Sequence, residues 1–191
     1  SLLSPPQRTG LYELGIERLD DGEVSTWFHD KAQHGETIEV LGPVGGHFVL
    51  DESNTRPALL IGGGSGVVPL LSMAAQRVGA YSQAHTTLLV AARHLDEVLL
   101  WPTLQRWEAF TPRFRSRLAL SRDTCAPRAQ DHVGRIDGAD VAWALQQLGD
   151  VATESAQVFI CGRNDFVESI VHMVTGLNVP EVSIRTERFG S

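Results

Sequence analysis

The chain has 191 residues, 42% of them hydrophobic and 20% charged, which suits a globular protein with one large or two small domains. A net charge of −7 and a pI near 5.4 argue against a nucleic-acid surface, and no apolar run reaches the length of a membrane span. Cys125 and Cys161 are too few for a four-thiolate iron–sulfur cluster and, with no signal peptide ahead of them, are expected to be reduced thiols in the cytoplasm.

The chain opens Ser1-Leu2-Leu3-Ser4-Pro5-Pro6, without methionine, and reads like the middle of a longer sequence. Tyr12 to Leu19 (YELGIERL) alternates apolar and polar residues, the pattern of a half-buried strand. Asp20-Asp21-Gly22 reads as a turn and Val24 to Ala32 as a short helix ended by Gly35. ETIEVLGPVGGHFVLD then predicts two strands separated by the Gly-Pro and Gly-Gly interruption. This first quarter reads as antiparallel. The polar stretch Glu52 to Arg56 marks a boundary, dividing a domain of residues 1–53 from one of residues 54–191.

Beyond that boundary lies PALLIGGGSGVVPLL, Pro57 to Leu71. Ala58 to Ile61 predict a buried strand and Val67 to Val78 a helix, with Pro69 tolerated in its first turn. Strand, glycine turn and helix aim backbone N–H groups and the positive end of a helix dipole at a phosphate. A tight turn needing positive φ is the plainer alternative. No Gly-Lys-Ser/Thr follows, and Val67 stands where a Gly-x-Gly-x-x-Gly pattern needs its third glycine, so the turn indicates a nucleotide phosphate of unspecified kind.

Further strands are predicted at Thr86–Ala92, Arg115–Leu120, Gln157–Ile160 and Val182–Thr186. Helices are predicted after Pro102, from near Asp137, and over DFVESIVHMV, where Asp165 and Glu168 have capping-box spacing. This alternation is that of an α/β fold with a doubly wound, mostly parallel sheet, which binds ligands at the carboxyl ends of its strands. The glycine turn, Arg93-His94 and Cys161-Gly162 all fall at that edge. An arginine at the end of the second strand suits a ribose 2′-phosphate, which favours NADPH over NADH, although Asp96 and Glu97 follow closely. The seven histidines are scattered with no ligand-spaced pair on one helix face, so no metal is expected. The four tryptophans read as core or interface residues.

GGGSGVVPLLSM, VAAR, FICG and RTERFG, in this order, resemble the ferredoxin–NADP reductase superfamily, in particular the flavin reductases that serve bacterial oxygenases. SLLSPP, GEVSTWFHD and GETIEVLGPVGGHFVLD resemble the end of that family's flavin-binding β-barrel. The resemblance implies an FAD-dependent enzyme that takes hydride from NADPH or NADH and passes electrons to a ferredoxin, a flavodoxin or an oxygenase. It implies that Gly22, Glu23, Val24 and Ser25 hold the FAD pyrophosphate, and that Gly64, Ser65 and Gly66 lie under the nicotinamide nucleotide. Cys161 and Gly162 match the pair beside the nicotinamide, although Arg163 stands where the family usually has proline. Glu187 and Phe189 match the acid and aromatic near the flavin, and Ser1 the last residue of an Arg-x-Tyr-Ser flavin motif whose earlier residues, like the first half of the barrel, precede this chain. Ser1, Cys161 and Glu187 would then align hydride transfer, none of them as a nucleophile. Two other readings stay open: a reductase of free flavin or quinone, and a nucleotide-binding regulatory module without a reaction.

Overall fold

The structure is a computed structural model that describes residues 1–6, 10–42, 46–51, 53–149 and 155–189. Its centre is a six-stranded parallel sheet made of β1 (Ala58–Gly63), β2 (Thr86–Ala92), β3 (Phe114–Leu120), β4 (His132–Val133), β5 (Gln157–Gly162) and β6 (Ile184–Arg188). The strand order is β4-β3-β2-β1-β5-β6, so β1 is central and the chain reverses its direction of travel beside it. Alternate residues of each strand face opposite apolar layers. Leu60, Leu88, Leu118 and Phe159 pack with α2 (Val67–Gly79) and α3 (Trp101–Phe110). Leu59, Leu89, Val158 and Ile160 pack with α4 (Gly138–Gln146) and α5 (Asn164–Gly176). Because both faces are covered, these strands read as continuous apolar runs.

Two buried charge networks tie the elements together. The Arg128 guanidinium pairs with Glu108 of α3, donates to both Asp131 carboxylate oxygens at 2.7 and 2.8 Å, and lies 4.5 Å above the Trp101 ring. Arg117 pairs with the buried Asp140 at 2.8 Å, and Asp140 also accepts from the Asp137 backbone N–H at 3.0 Å and meets His132 Nδ1 at 2.8 Å.

The reading of residues 1–56 needs correction. Among the described residues this quarter holds one helix, α1 (Glu23–Asp30), and one backbone bridge, Leu2 with Leu14, but no strand over 12–19 or 36–51. An alternating pattern makes a strand only where a neighbouring strand takes up its backbone groups, and the described residues supply one partner segment alone. That segment, Ser1 to Ser4, pairs with Glu13 to Gly15 and rests on α2, where the Ser72 hydroxyl donates to the Ser4 carbonyl at 2.9 Å. The Gly15 backbone lies so close to Val68 that a Cβ there would stand 2.6 Å from Cγ2.

The capping box also lies elsewhere. Helix α5 starts at Asn164 with Arg163 as its N-cap and no side-chain cap, which leaves Asp165 inside the first turn. The reciprocal box is Asp137 with Asp140 at the start of α4.

Candidate nucleotide site at the carboxyl edge of the sheet

The first β-turn-α unit sets the geometry. β1 runs into a single 3-10 turn, Gly64–Gly66, that leads directly into α2. Gly64 has φ +56°, in the left-handed region, with open space beyond it. Gly66 is required for a different reason: a Cβ there would lie 2.3 Å from the Cys161 carbonyl oxygen and 2.7 Å from the Gly162 nitrogen. The turn is therefore seated on the last peptide of β5. Ser65, between the two glycines, is half-buried.

β5 and β6 complete this end of the site. Cys161 stands between Gly62 on β1 and Glu187 on β6 in the strand register. The Phe189 backbone N–H donates to the Gly162 carbonyl at 3.0 Å, and the Phe189 ring packs on the layer that holds Cys161. The structure thus brings Gly64, Ser65, Gly66, Cys161, Gly162, Glu187 and Phe189 together.

Burial and the nearby Glu187 carboxylate push the Cys161 thiol up to about 12, against a backbone N–H at Gly162 that favours the thiolate. Cys161 is therefore a neutral, fully buried thiol and no nucleophile. The folded chain keeps this proton where the unfolded chain loses it, so stability is full below about pH 9 and falls between there and pH 12. Unfolding free energies from urea titrations should fall with pH in that window by up to about 1.4 kcal/mol per pH unit more in the wild type than in Cys161→Ala. Parallel pH slopes for the two proteins would refute this.

Arg93 lies two strands away from Cys161, just beyond β2. Strand pairing continues past the ends of β2 and β3, with Ser121 N–H on the Ala92 carbonyl at 3.0 Å and Arg122 N–H on the Arg93 carbonyl at 2.9 Å. This second bond joins the backbones of two exposed arginines, 93 and 122. Asp123 locks the corner by accepting from the Leu95 N–H at 2.9 Å and meeting His94 Nδ1 at 2.9 Å. The His94 bond, with help from Leu95 N–H, holds the Asp123 carboxyl below its usual value. Arg93 Nε faces the Glu97 carboxylate, at 3.1 Å from Oε1 and 3.2 Å from Oε2. Desolvation would raise the Glu97 carboxyl, but the Arg93 side chain and backbone N–H hold it below its usual value. An open cleft of about 610 Å³ beside this corner is lined by His94, Leu95, Val98, Trp101 and Asp123 among others. Arg122, the second residue beyond β3, escaped the sequence reading.

The other candidate residues lie on the N-terminal segment. Gly22 is the N-cap of α1, and no side chain caps the first turn, formed by Glu23, Val24 and Ser25. The Ser25 hydroxyl accepts from Leu19 N–H at 3.2 Å and faces the Gly22 carbonyl at 3.3 Å. Ser1 is exposed, with its amino group on the Gly15 carbonyl at 3.1 Å. Among the described residues, His132, Asp137 and Asp140 bring ligand-type atoms within 4.8 Å of one another. Their bonds to one another and to Arg117, with the α4 cap, account for that cluster as a structural network.

A central parallel strand, a glycine turn seated on the neighbouring strand, and open space above that turn define a dinucleotide-binding domain. The model of the oxidoreductase NAD-binding domain matches residues 60–172, and the chain belongs to that family, within the ferredoxin–NADP reductase superfamily. The chain is 28% identical to ferredoxin–NADP reductase B of Sorangium cellulosum over 99% of its own length and 76% of the relative's. It is 26% identical to the phenol hydroxylase P5 protein of Acinetobacter pittii over 99% of its own length, and spans about half, 52%, of that protein. In fold it is similar to a ferredoxin–NADP⁺ reductase of Neisseria gonorrhoeae solved with FAD and NADP, with a TM-score of 0.73, 19% identity, and coverage of 98% of this chain and 78% of that one. No helix among the described residues is long and apolar enough to cross a membrane.

Proposed function

We propose that this chain is the nucleotide-binding part of a flavin-dependent oxidoreductase that takes hydride from NAD(P)H and delivers electrons to a separate acceptor. Residues 54–191 would bind the dinucleotide and residues 1–53 would face the flavin. The observation that carries this reading is the seating of the Gly64–Gly66 turn on the Cys161–Gly162 peptide, with Glu187 beside Cys161. It supports the reading because backbone N–H groups of the kind that bind phosphate and a neutral thiol then lie at one strand edge.

In this reading the N–H groups of the glycine turn and of the first turn of α2 hold the pyrophosphate. Cys161 and Glu187 fix the nicotinamide plane, while Phe189 covers the flavin side. Gly22 to Ser25, at the uncapped start of α1, offer backbone donors to a second pyrophosphate, that of FAD. The flavin, when bound, supplies the step from two-electron to one-electron chemistry. The likeness to a ferredoxin–NADP reductase and to the phenol hydroxylase P5 protein supports a ferredoxin, a flavodoxin or an oxygenase as the acceptor. NADPH is the favoured donor, because Arg93, just beyond the end of β2, offers a guanidinium to a 2′-phosphate.

The test is stopped-flow flavin reduction by NADPH, with FAD-loaded protein. Cys161→Ala should slow hydride transfer by about tenfold or more, in keeping with a lost positioning group, and leave the nucleotide Kd unchanged. An unchanged rate would return Cys161 to the status of a core residue, and transfer to free flavin alone would favour the free-flavin reductase reading.

A further inference from the structure

We infer that Glu97 sets nucleotide selectivity by holding a fixed negative charge against the arginine that would receive the 2′-phosphate; this rests on the reading of the β2–β3 corner given above. Glu97 lies four residues after Arg93, and its carboxylate faces Arg93 Nε with both oxygens, at 3.1 and 3.2 Å. Its Oε2 also accepts the Arg93 backbone N–H at 3.3 Å. The same carboxylate thus fixes where the guanidinium stands and cancels part of its charge.

The balance of charge at the corner makes that cancellation matter. Arg93 and Arg122 are set against Asp96, Glu97 and Asp123, with His94 bonded to Asp123. Asp123 is bound to His94 and the Leu95 N–H, which confines it to closing the corner. Glu97 is the acid in direct contact with an arginine of the pair. A dianionic 2′-phosphate brought to Arg93 meets this carboxylate within one side-chain length, and like charges at that distance repel even near water. NAD, which has a neutral hydroxyl there, meets no such repulsion. The side chains of Arg93 and Glu97 are 61% and 36% exposed, which keeps the effect modest and salt-sensitive.

Glu97→Gln separates charge from position, because the amide oxygen still accepts from Arg93 while the negative charge is gone. Calorimetric titration of the 191-residue chain with NADP⁺ and with NAD⁺ reads the outcome for wild type, Arg93→Ala, Glu97→Gln and the double variant. Glu97→Gln should tighten NADP⁺ about two- to fivefold, the range expected of one exposed charge, and leave NAD⁺ unchanged. The gain should shrink at high salt and vanish in the double variant. An unaltered NADP⁺ to NAD⁺ ratio in Glu97→Gln, with Arg93→Ala still weakening NADP⁺, would overturn the role of Glu97 and leave the corner as the 2′-phosphate site. If Arg93→Ala leaves NADP⁺ affinity untouched, the corner itself is misread and the inference falls with it. Failure of the wild-type chain to bind either nucleotide would overturn both.

Discussion

Gly66→Ala is expected to cost the chain about a hundredfold in NADP⁺ affinity, with a clear loss of thermal stability. The methyl group would sit 2.3 Å from the Cys161 carbonyl oxygen and 2.5 Å from its carbon. Both are backbone atoms of β5, which is hydrogen-bonded to β1 and β6, so neither can swing aside like a side chain. Either the turn lifts off β5 or the end of β5 bends away. Each path displaces the N–H groups proposed to hold the phosphate by about 1 Å, and a misplacement of that size costs about 10²-fold in a preorganised site. The overpacking itself costs about 1–3 kcal/mol. Gly64→Ala is the matched control. A methyl there meets no atom within 4 Å, so only the positive φ opposes it, at about 1–2 kcal/mol. Calorimetric titration and thermal melts on the two variants decide the matter, and wild-type affinity in Gly66→Ala would refute the seating of the turn.

Asp140→Ala is expected to be the most destabilising of the single changes considered, lowering stability by about 3–5 kcal/mol, the cost of leaving one member of a buried ion pair alone. The Asp140 side chain is 2% exposed and that of Arg117 18%. Removing the carboxylate strands the Arg117 guanidinium, 5.2 Å from the Trp143 ring, and deprives His132 and the Asp137 N–H of their acceptor. It also breaks the capping box of α4. A fall in Tm of roughly 10 °C in a chain of this size is the expected reading. Replacing both partners by apolar residues, Arg117→Met with Asp140→Leu, should restore only the part of the loss that comes from the uncompensated charge, while the acceptor of His132 and of the Asp137 N–H stays missing. A single variant within about 1–2 °C of wild type would show that the pair contributes little.

The legible part of the fold was the part in which local sequence and tertiary neighbours agree. Ala58 to Ile61, Thr86 to Ala92 and Gln157 to Ile160 are apolar runs because a parallel sheet is covered on both faces, and the intervening helices carry the matching apolar stripes. The edge to which the glycine turn, Arg93 and Cys161-Gly162 were assigned is the one that the parallel register produces. Residues 12–19 were misread because alternation reports a half-buried surface without reporting whether a pairing partner exists. Asp-x-x-acid spacings begin at Asp20, Asp137 and Asp165. The structure uses the one at Asp137, whose extended backbone (φ −124°, ψ −179°) lets its carboxylate reach back to the first turn, while Asp165 is already helical. The Arg128 network draws on Trp101, Glu108, Ser116 and Asp131, residues from three separate segments, and so left no local spacing to read. Arg122 matters through a neighbour 29 positions earlier in the chain, a relation that exists only once β2 and β3 are paired.

The approach of Gly15 to Val68 gives a rule for substitutions at two positions far apart in the chain. Val68 is 1% exposed and, being β-branched on a helix, has one strongly preferred rotamer, so its methyl groups cannot retreat from a newcomer at position 15. A side chain at 15 is admissible only together with a smaller one at 68. Homologous sequences should therefore trade bulk between these two sites, and a randomised library at position 15 alone should return almost nothing but glycine. A paired library should return Gly15→Ala only in company with Val68→Ala or Val68→Gly.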